Sequence, residues 1–202
     1  MKKIDVVVFD LADVCVRGFV GLEHVLSKCT GIDKDKLSEA LHGERLNAVF
    51  EGRISEHDYL RDVLKDINLK APLFFIKFII RNNFREIHGT RHIIEDLKSN
   101  GYRIGLLSDH VKEWVEYIEA KHGFLQLFDE KFYSFDLRTT KKHPESFRYA
   151  LDRLEADPDK TLFIDDTPRN LEVALSAGIR HVHQFAGADI LRKYLASYGV
   201  YL

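Results

Sequence analysis

Three apolar runs in this chain each end in a group able to attack or hold an oxyanion or a hard cation. Val6-Val7-Val8-Phe9 runs into Asp10, Gly105-Leu106-Leu107 into Ser108-Asp109, and Leu162-Phe163-Ile164 into Asp165-Asp166; a polar loop adds Lys141-Lys142. Carboxylates gathered at one edge repel each other and lose hydration. They persist where a cation neutralises them, typically a hard ion such as Mg²⁺ with oxygen ligands. A hydroxyl and an ammonium at the same edge offer donors to phosphate oxygens. The set points to metal-assisted phosphoryl transfer onto a carboxylate. Singly, each group has an ordinary reading: Asp10 as a turn aspartate, Asp165-Asp166 as a helix N-terminal pair, Ser108 as a cap. The ordered set outweighs those readings.

For these groups to meet, the elements must place them at one edge. Windows 4–9, 103–108, 131–134, 161–164 and 181–185 read as buried strands. Between the later ones, apolar spacing of three and four marks helices over 113–121, 146–154 and 170–177. Strands alternating with such helices imply a parallel sheet with right-handed crossovers, whose ligands sit beyond the carboxyl ends of the strands. Gly101 and Gly178 are placed to end helices in the left-handed conformation. The interval between the first two strands is far longer than one crossover needs. It is helical in pattern over 23–29, 34–42, 46–50, 55–66 and 72–82, with Ser55-Glu56-His57-Asp58 as a helix start. Residues 90–100 then return to the core.

The motifs resemble those of the haloacid dehalogenase superfamily of aspartate-nucleophile hydrolases. Phe9-Asp10-Leu11-Ala12-Asp13-Val14 is similar to its first motif and Gly105-Leu106-Leu107-Ser108-Asp109 to its second. Lys141-Lys142-His143-Pro144-Glu145-Ser146-Phe147 resembles the third, and Leu162-Phe163-Ile164-Asp165-Asp166-Thr167-Pro168-Arg169-Asn170 the fourth. Phe50-Glu51-Gly52-Arg53-Ile54-Ser55-Glu56 is similar to the helical cap of bacterial sugar-phosphate phosphatases in this superfamily. The resemblance implies an α/β protein with a Rossmann-like three-layer core, residues 1–16 and 84–202, and an inserted α-helical cap, residues 17–83. It implies Asp10 as nucleophile, forming an aspartyl-phosphate that water hydrolyses. Mg²⁺ is then held by Asp10, the Ala12 carbonyl and Asp166, with Asp165 acting directly or through water. Ser108, Lys141 and the backbone N–H of Asp109 bind the phosphoryl group, and Asn170 orients its neighbours. The implied substrate is a small phosphorylated metabolite such as a sugar phosphate.

Two positions depart from the pattern. Most such phosphatases carry a second Asp where this chain has Ala12; it protonates the leaving group and later activates water. Loss of a general acid–base costs ~10²–10⁴ in rate, or about 3–5 kcal/mol of barrier. The metal ligand there is the main-chain carbonyl, which alanine keeps. Position 12 alone therefore predicts rates that rise as the leaving-group pKa falls, which suits an anomeric sugar hydroxyl. It also keeps three alternatives open: a phosphate-binding or regulatory module without turnover, a dehalogenase, and a phosphonatase. The last requires a cap lysine, drawn from Lys28, Lys34, Lys36, Lys65, Lys70 and Lys77. Asp13 substitutes for the missing acid only if its side chain turns back. Lys142 stands where the family usually has proline; spacing selects Lys141 as the functional lysine, with Lys142 as the alternative.

Composition limits the rest. The 202 residues are 45% hydrophobic and 31% charged with a net charge of -2, which gives no electrostatic case for nucleic acid. Met1-Lys2-Lys3 resembles a leader's basic start, but Asp5 and Asp10 break the apolar run behind it. Residues 71–80 are too short to span a membrane and include Lys77. Cys15 and Cys29 form no disulfide framework, which suits a reducing cytoplasm. His181 and His183 point to one strand face and pack. The other histidines, His42 among them, are scattered; His110 alone adjoins a motif and is the one expected near substrate. Phe74, Phe75, Phe78 and Trp114 are expected to pack, and Arg17, Arg45, Arg53 and Arg61 to lie on solvated helix faces. Oligomeric state is not legible.

Overall fold

The computed structural model describes residues 4–19 and 21–200; Met1-Lys2-Lys3 lies outside them. The chain runs β1 (Val6–Phe9), α1 (Leu22–Thr30), α2 (Lys34–Leu41), α3 (Glu44–Phe50), α4 (Glu56–Asp66), α5 (Leu73–Asn83), α6 (Thr90–Ser99) and β2 (Arg103–Ser108). It continues through α7 (Lys112–His122), β3 (Glu130–Tyr133), α8 (Ser134–Leu137), α9 (Pro144–Arg153), β4 (Thr161–Asp165), α10 (Pro168–Ser176), β5 (His181–Gln184) and α11 (Ala188–Ser197). The five strands form one parallel sheet in the order β3-β2-β1-β4-β5.

The period-two alternation of β1 builds two cores, one on each face of the sheet. Val7 and Phe9 pack with Ile93, Ile94 and Leu97 of α6, Trp114 of α7 and Leu191 of α11. Val6 and Val8 pack with Phe147 and Leu151 of α9 and with Leu171 and Ala174 of α10. This is the three-layer arrangement that the alternating pattern implies. Gly101 and Gly178 end α6 and α10 at positive φ, 75° and 109°, where a Cβ is disfavoured.

Helices α1–α5 lie between β1 and α6. The outgoing and returning chains run side by side at their base: Arg17 N–H donates to the Arg85 carbonyl at 2.8 Å, and Ile87 N–H to the Cys15 carbonyl at 2.9 Å. Ser55 caps α4 by accepting from Asp58 N–H, as its sequence signature predicts. Glu56, fully buried in α4, ties the helical segment together and to the core. Its carboxylate accepts from Arg81 at 2.8 and 3.1 Å and from Trp114 Nε1 at 2.8 Å, and pairs with Lys77 at 2.7 Å. Trp114 is buried as expected, but the α5 phenylalanines are not all packing residues. Ile76, Ile79 and Ile80 take the inward stripe, which leaves Phe74 74% and Phe78 62% exposed. The short α8 and the C-terminal α11 are additional to the elements read from the sequence.

Candidate active site

β1 lies between β2 and β4, so the residues that follow these strands emerge together. Asp10 N–H continues the ladder onto the Ile164 carbonyl at 2.9 Å, which sets Asp10 beside Asp165. Donor oxygens of Asp10, Asp165 and Asp166 all lie within 4.8 Å of one another. Lys141 is buried among them, its Nζ 2.8 Å from Asp10 Oδ1 and 2.6 Å from Asp165 Oδ2. The contact to Asp165 is a hydrogen bond. The contact to Asp10 Oδ1 gives charge compensation without hydrogen-bond alignment, so this buried oxygen still lacks a donor.

Asp109 and Asn170 hold this bridge in place. Asp109 accepts the Lys141 backbone N–H with both oxygens, at 2.9 and 3.2 Å, and so fixes the loop before α9. Asn170 Nδ2 donates to both oxygens of Asp165, at 3.1 and 3.0 Å, and Thr167 N–H donates at 2.8 Å. Ser108 is fully buried at the end of β2 and does not itself line the cavity; its Oγ has no partner. An orphaned buried hydroxyl costs about 1–3 kcal/mol, which a bound oxyanion would recover. Lys142 points elsewhere: its Nζ donates to Asn47 Oδ1 of α3 at 2.6 Å. The lysine among the carboxylates is Lys141.

The electrostatics leave room for a further cation. Burial pushes the Asp10 carboxyl up to about 8, with Lys141 drawing it down and Asp165 pushing it up. Asp166 is raised by burial and then by Asp165 and Asp13. Burial opposes the Lys141 charge, but Asp10, Asp165 and Asp109 outweigh it and raise its pKa. One ammonium cannot keep all these carboxylates ionised. A hard divalent ion on Asp10 and Asp166 fits the donor set and the uncompensated charge.

These groups open into a cavity of about 190 Å³ whose other wall comes largely from outside the motifs: Phe19, His42 at the end of α2, and Leu46 and Phe50 of α3. Of these, only Phe50 belongs to a motif quoted from the sequence; His42 and Leu46 lie in stretches read only as helical, and Phe19 in none. Asp13 also lines the cavity, in the left-handed conformation (φ 57°), with Oδ1 accepting from Gly18 N–H at 3.0 Å. His110, expected near substrate, is not in the wall. It is buried between Phe84 and Trp114, and burial lowers its pKa to about 4, which keeps it neutral. His181 and His183 pack on Tyr198 and Tyr194. Arg45, Arg53 and Arg61 pair with carboxylates on the helix surfaces. Among the described residues, no helix is long and apolar enough to cross a membrane.

Residues 4–178 match the family model of haloacid dehalogenase-like hydrolases. The chain is 23% identical over 202 residues to flavin mononucleotide hydrolase 1 of Arabidopsis thaliana, covering 98% of this chain and 79% of the relative. Its fold is similar to that of a predicted HAD-like family hydrolase from Porphyromonas gingivalis, with a TM-score of 0.80, 19% identity, and coverage of 99% and 100%. It is also similar to a HAD family enzyme from Bacteroides thetaiotaomicron in complex with magnesium and inorganic phosphate, with a TM-score of 0.76, 17% identity, and coverage of 91% and 95%.

Proposed function

The chain belongs to the haloacid dehalogenase-like hydrolase family, and on that premise we propose that it is a Mg²⁺-dependent phosphohydrolase of small phosphate monoesters. The observation that carries this reading is the buried Asp10–Lys141–Asp165 bridge, with Asp166 alongside and carboxylate charge left over. Asp10, the Ala12 carbonyl and Asp166 would hold the ion, with Asp165 behind them through water. When bound, Mg²⁺ supplies charge neutralisation for the phosphoryl oxygens and keeps the carboxylates ionised.

The protein's own groups do the rest. Asp10 attacks phosphorus, the bond to the leaving oxygen breaks, and an aspartyl-phosphate forms that water then hydrolyses. Lys141 and the otherwise unpartnered Ser108 Oγ bind the phosphoryl oxygens, aided by the Asp109 N–H. Thr167 and Asn170 hold Asp165, which in turn holds Lys141. The cavity of about 190 Å³ suits a phosphate with a compact alcohol, such as a sugar phosphate. None of the insert's lysines lines that cavity, which disfavours a phosphonatase. The two free cysteines, one of them exposed, suit a cytoplasmic setting.

A screen of phosphorylated metabolites with Mg²⁺, using Asp10→Asn as the blank, tests the reading. Turnover that chelation and Asp10→Asn both abolish supports it. Chelator-insensitive release of halide from a 2-haloacid would instead favour a dehalogenase. Absence of turnover until Ala12→Asp is introduced would mark a phosphate-binding module that has lost catalysis.

A further inference from the structure

With alanine at position 12, the proposed reaction has no aspartate there to protonate the departing alcohol. On the phosphohydrolase reading above, we propose that His42, contributed by the helical insert, is the catalytic residue that protonates the leaving oxygen and then accepts a proton from the attacking water.

His42 ends α2 and lines the same cavity as Asp10, Asp166 and Lys141. Its Nδ1 lies 2.8 Å from the Ser38 carbonyl, which can only accept, so Nδ1 carries a proton. No described residue bonds Nε2, which is left to exchange a proton with a ligand. The Phe19 ring meets the imidazole edge-on at 5.8 Å, and Phe19 is itself stacked on buried Trp114 at 5.2 Å. These contacts fix the plane of the imidazole.

Asp10 and Asp166 are the carboxylates assigned to the ion on the reading above, and the other titratable groups of the cavity are bonded within the protein. Asp109 holds the Lys141 backbone, Asp13 holds Gly18 N–H, and Lys141 bridges Asp10 and Asp165. On its outer side His42 borders a second cavity of about 460 Å³ lined by Lys36 and Glu39 of its own helix, Glu44 and Arg45 of α3, and Asp66 of α4. That opening gives the ring a route for proton exchange with solvent. Imidazole is the side chain suited to such exchange near neutrality.

The step balances. As the Asp10–phosphorus bond forms, the electron pair of the breaking P–O bond goes to the leaving oxygen, which takes the Nε2 proton. The neutral imidazole then removes a proton from the water whose oxygen attacks phosphorus. The Asp10 carboxylate and the imidazolium are both regenerated.

Initial rates over a series of aryl and alkyl phosphate monoesters, from p-nitrophenyl phosphate to a simple alkyl phosphate, test this. The wild type should vary little across the series, the opposite of what Ala12 alone predicts. Both variants remove the ring: His42→Asn keeps an N–H for the Ser38 carbonyl with nothing at the Nε2 position, and His42→Gln puts a non-titrating amide near that position. In kcat/KM, which reads formation of the aspartyl-phosphate, both should lose about 10²–10⁴-fold on alkyl esters and less than about tenfold on p-nitrophenyl phosphate, whose anion leaves unaided; that retained release of nitrophenolate also reports a folded protein, while kcat falls on every ester because water attack lacks its base. If wild type and His42→Asn show the same dependence, or if Asp13→Asn and not His42→Asn steepens it, the assignment is overturned. If the wild type turns over none of the esters beyond the Asp10→Asn blank, the phosphohydrolase reading itself fails, a result distinct from an unchanged slope.

Discussion

The two walls of the cavity are built by different physics. The core wall is charged and closely bonded: Lys141, at 2% exposure, lies between two carboxylates, and Asp109, Thr167 and Asn170 bond the groups around it. The insert wall is apolar and partly open, with Phe19, Leu46 and Phe50 beside an exposed imidazole. Around the cavity, polar contacts reach it from the core: Lys142 to Asn47, Ser134 Oγ to the Phe50 carbonyl, Arg138 to the Gly52 carbonyl. Charge that must not move is placed on strand ends. The apolar groups of the facing wall sit on α3 and on the chain just before α1.

The sharpest break on the core side is Lys141→Met. It leaves the Asp10 and Asp165 carboxylates facing each other without their shared cation, and should cost roughly 10²–10³ in kcat together with about 3–5 kcal/mol of stability. Steady-state kinetics and urea unfolding measure the two losses separately. A variant that keeps its kcat would show that the bridge is structural only.

On the insert side, Glu56→Ala tests whether the helices depend on a comparable buried charge. Removing it leaves Arg81 and Lys77 unpaired and Trp114 Nε1 without an acceptor. We expect a loss of about 3 kcal/mol in urea unfolding. If the core wall alone performs chemistry, p-nitrophenyl phosphate turnover per folded molecule should change little.

The pH dependence of the metal-free protein sharpens the comparison further. Asp10 is raised from 3.8 to about 8 in the fold, so between these values the unfolded chain has lost a proton that the native one keeps. Native binding of the extra proton means that stability falls as pH rises through that window. Asp10→Asn should flatten this fall in thermal unfolding recorded with chelator. Mg²⁺ should raise the wild-type midpoint more at the alkaline end, where the carboxylate is free to bind it. A wild-type curve with the same slope as Asp10→Asn would remove the electrostatic argument for an added cation.

The mildest change is Lys142→Ala. Its bond to Asn47 is exposed, so stability should move by less than about 0.5 kcal/mol. An altered KM with constant kcat would show that the latch positions the insert wall over substrate.

The same division explains what the sequence made legible. Asp10, Asp165 and Asp166 follow apolar runs within a few residues, so strand logic alone brings them to one edge, and the spacing back from Pro144 and Phe147 picks out Lys141. Asn170 was legible as an orienting residue because it follows the aspartate pair in the same motif. The apolar wall was not: Phe19, Leu46 and His42 come from three separate stretches, and only the packing of α2 and α3 against the core brings them together. His110 misled because adjacency to a motif says nothing of the direction a side chain takes once Phe84 and Trp114 enclose it. Phe74 and Phe78 misled because the apolar residues of α5 fall on two stripes, and isoleucines took the inner one.

The central position of β1 also governs the order in which the molecule is assembled. In the sheet, β1 pairs with partners about a hundred and more residues further along the chain, β2 and β4. Contacts of such sequence separation close late, after local helices have formed. The helices that follow β1 thus acquire structure while Val6–Phe9 still has two open edges. The surroundings of Asp10 are completed only when β4 docks, so chains that stop short of β4 carry an adhesive strand and an unfinished carboxylate cluster.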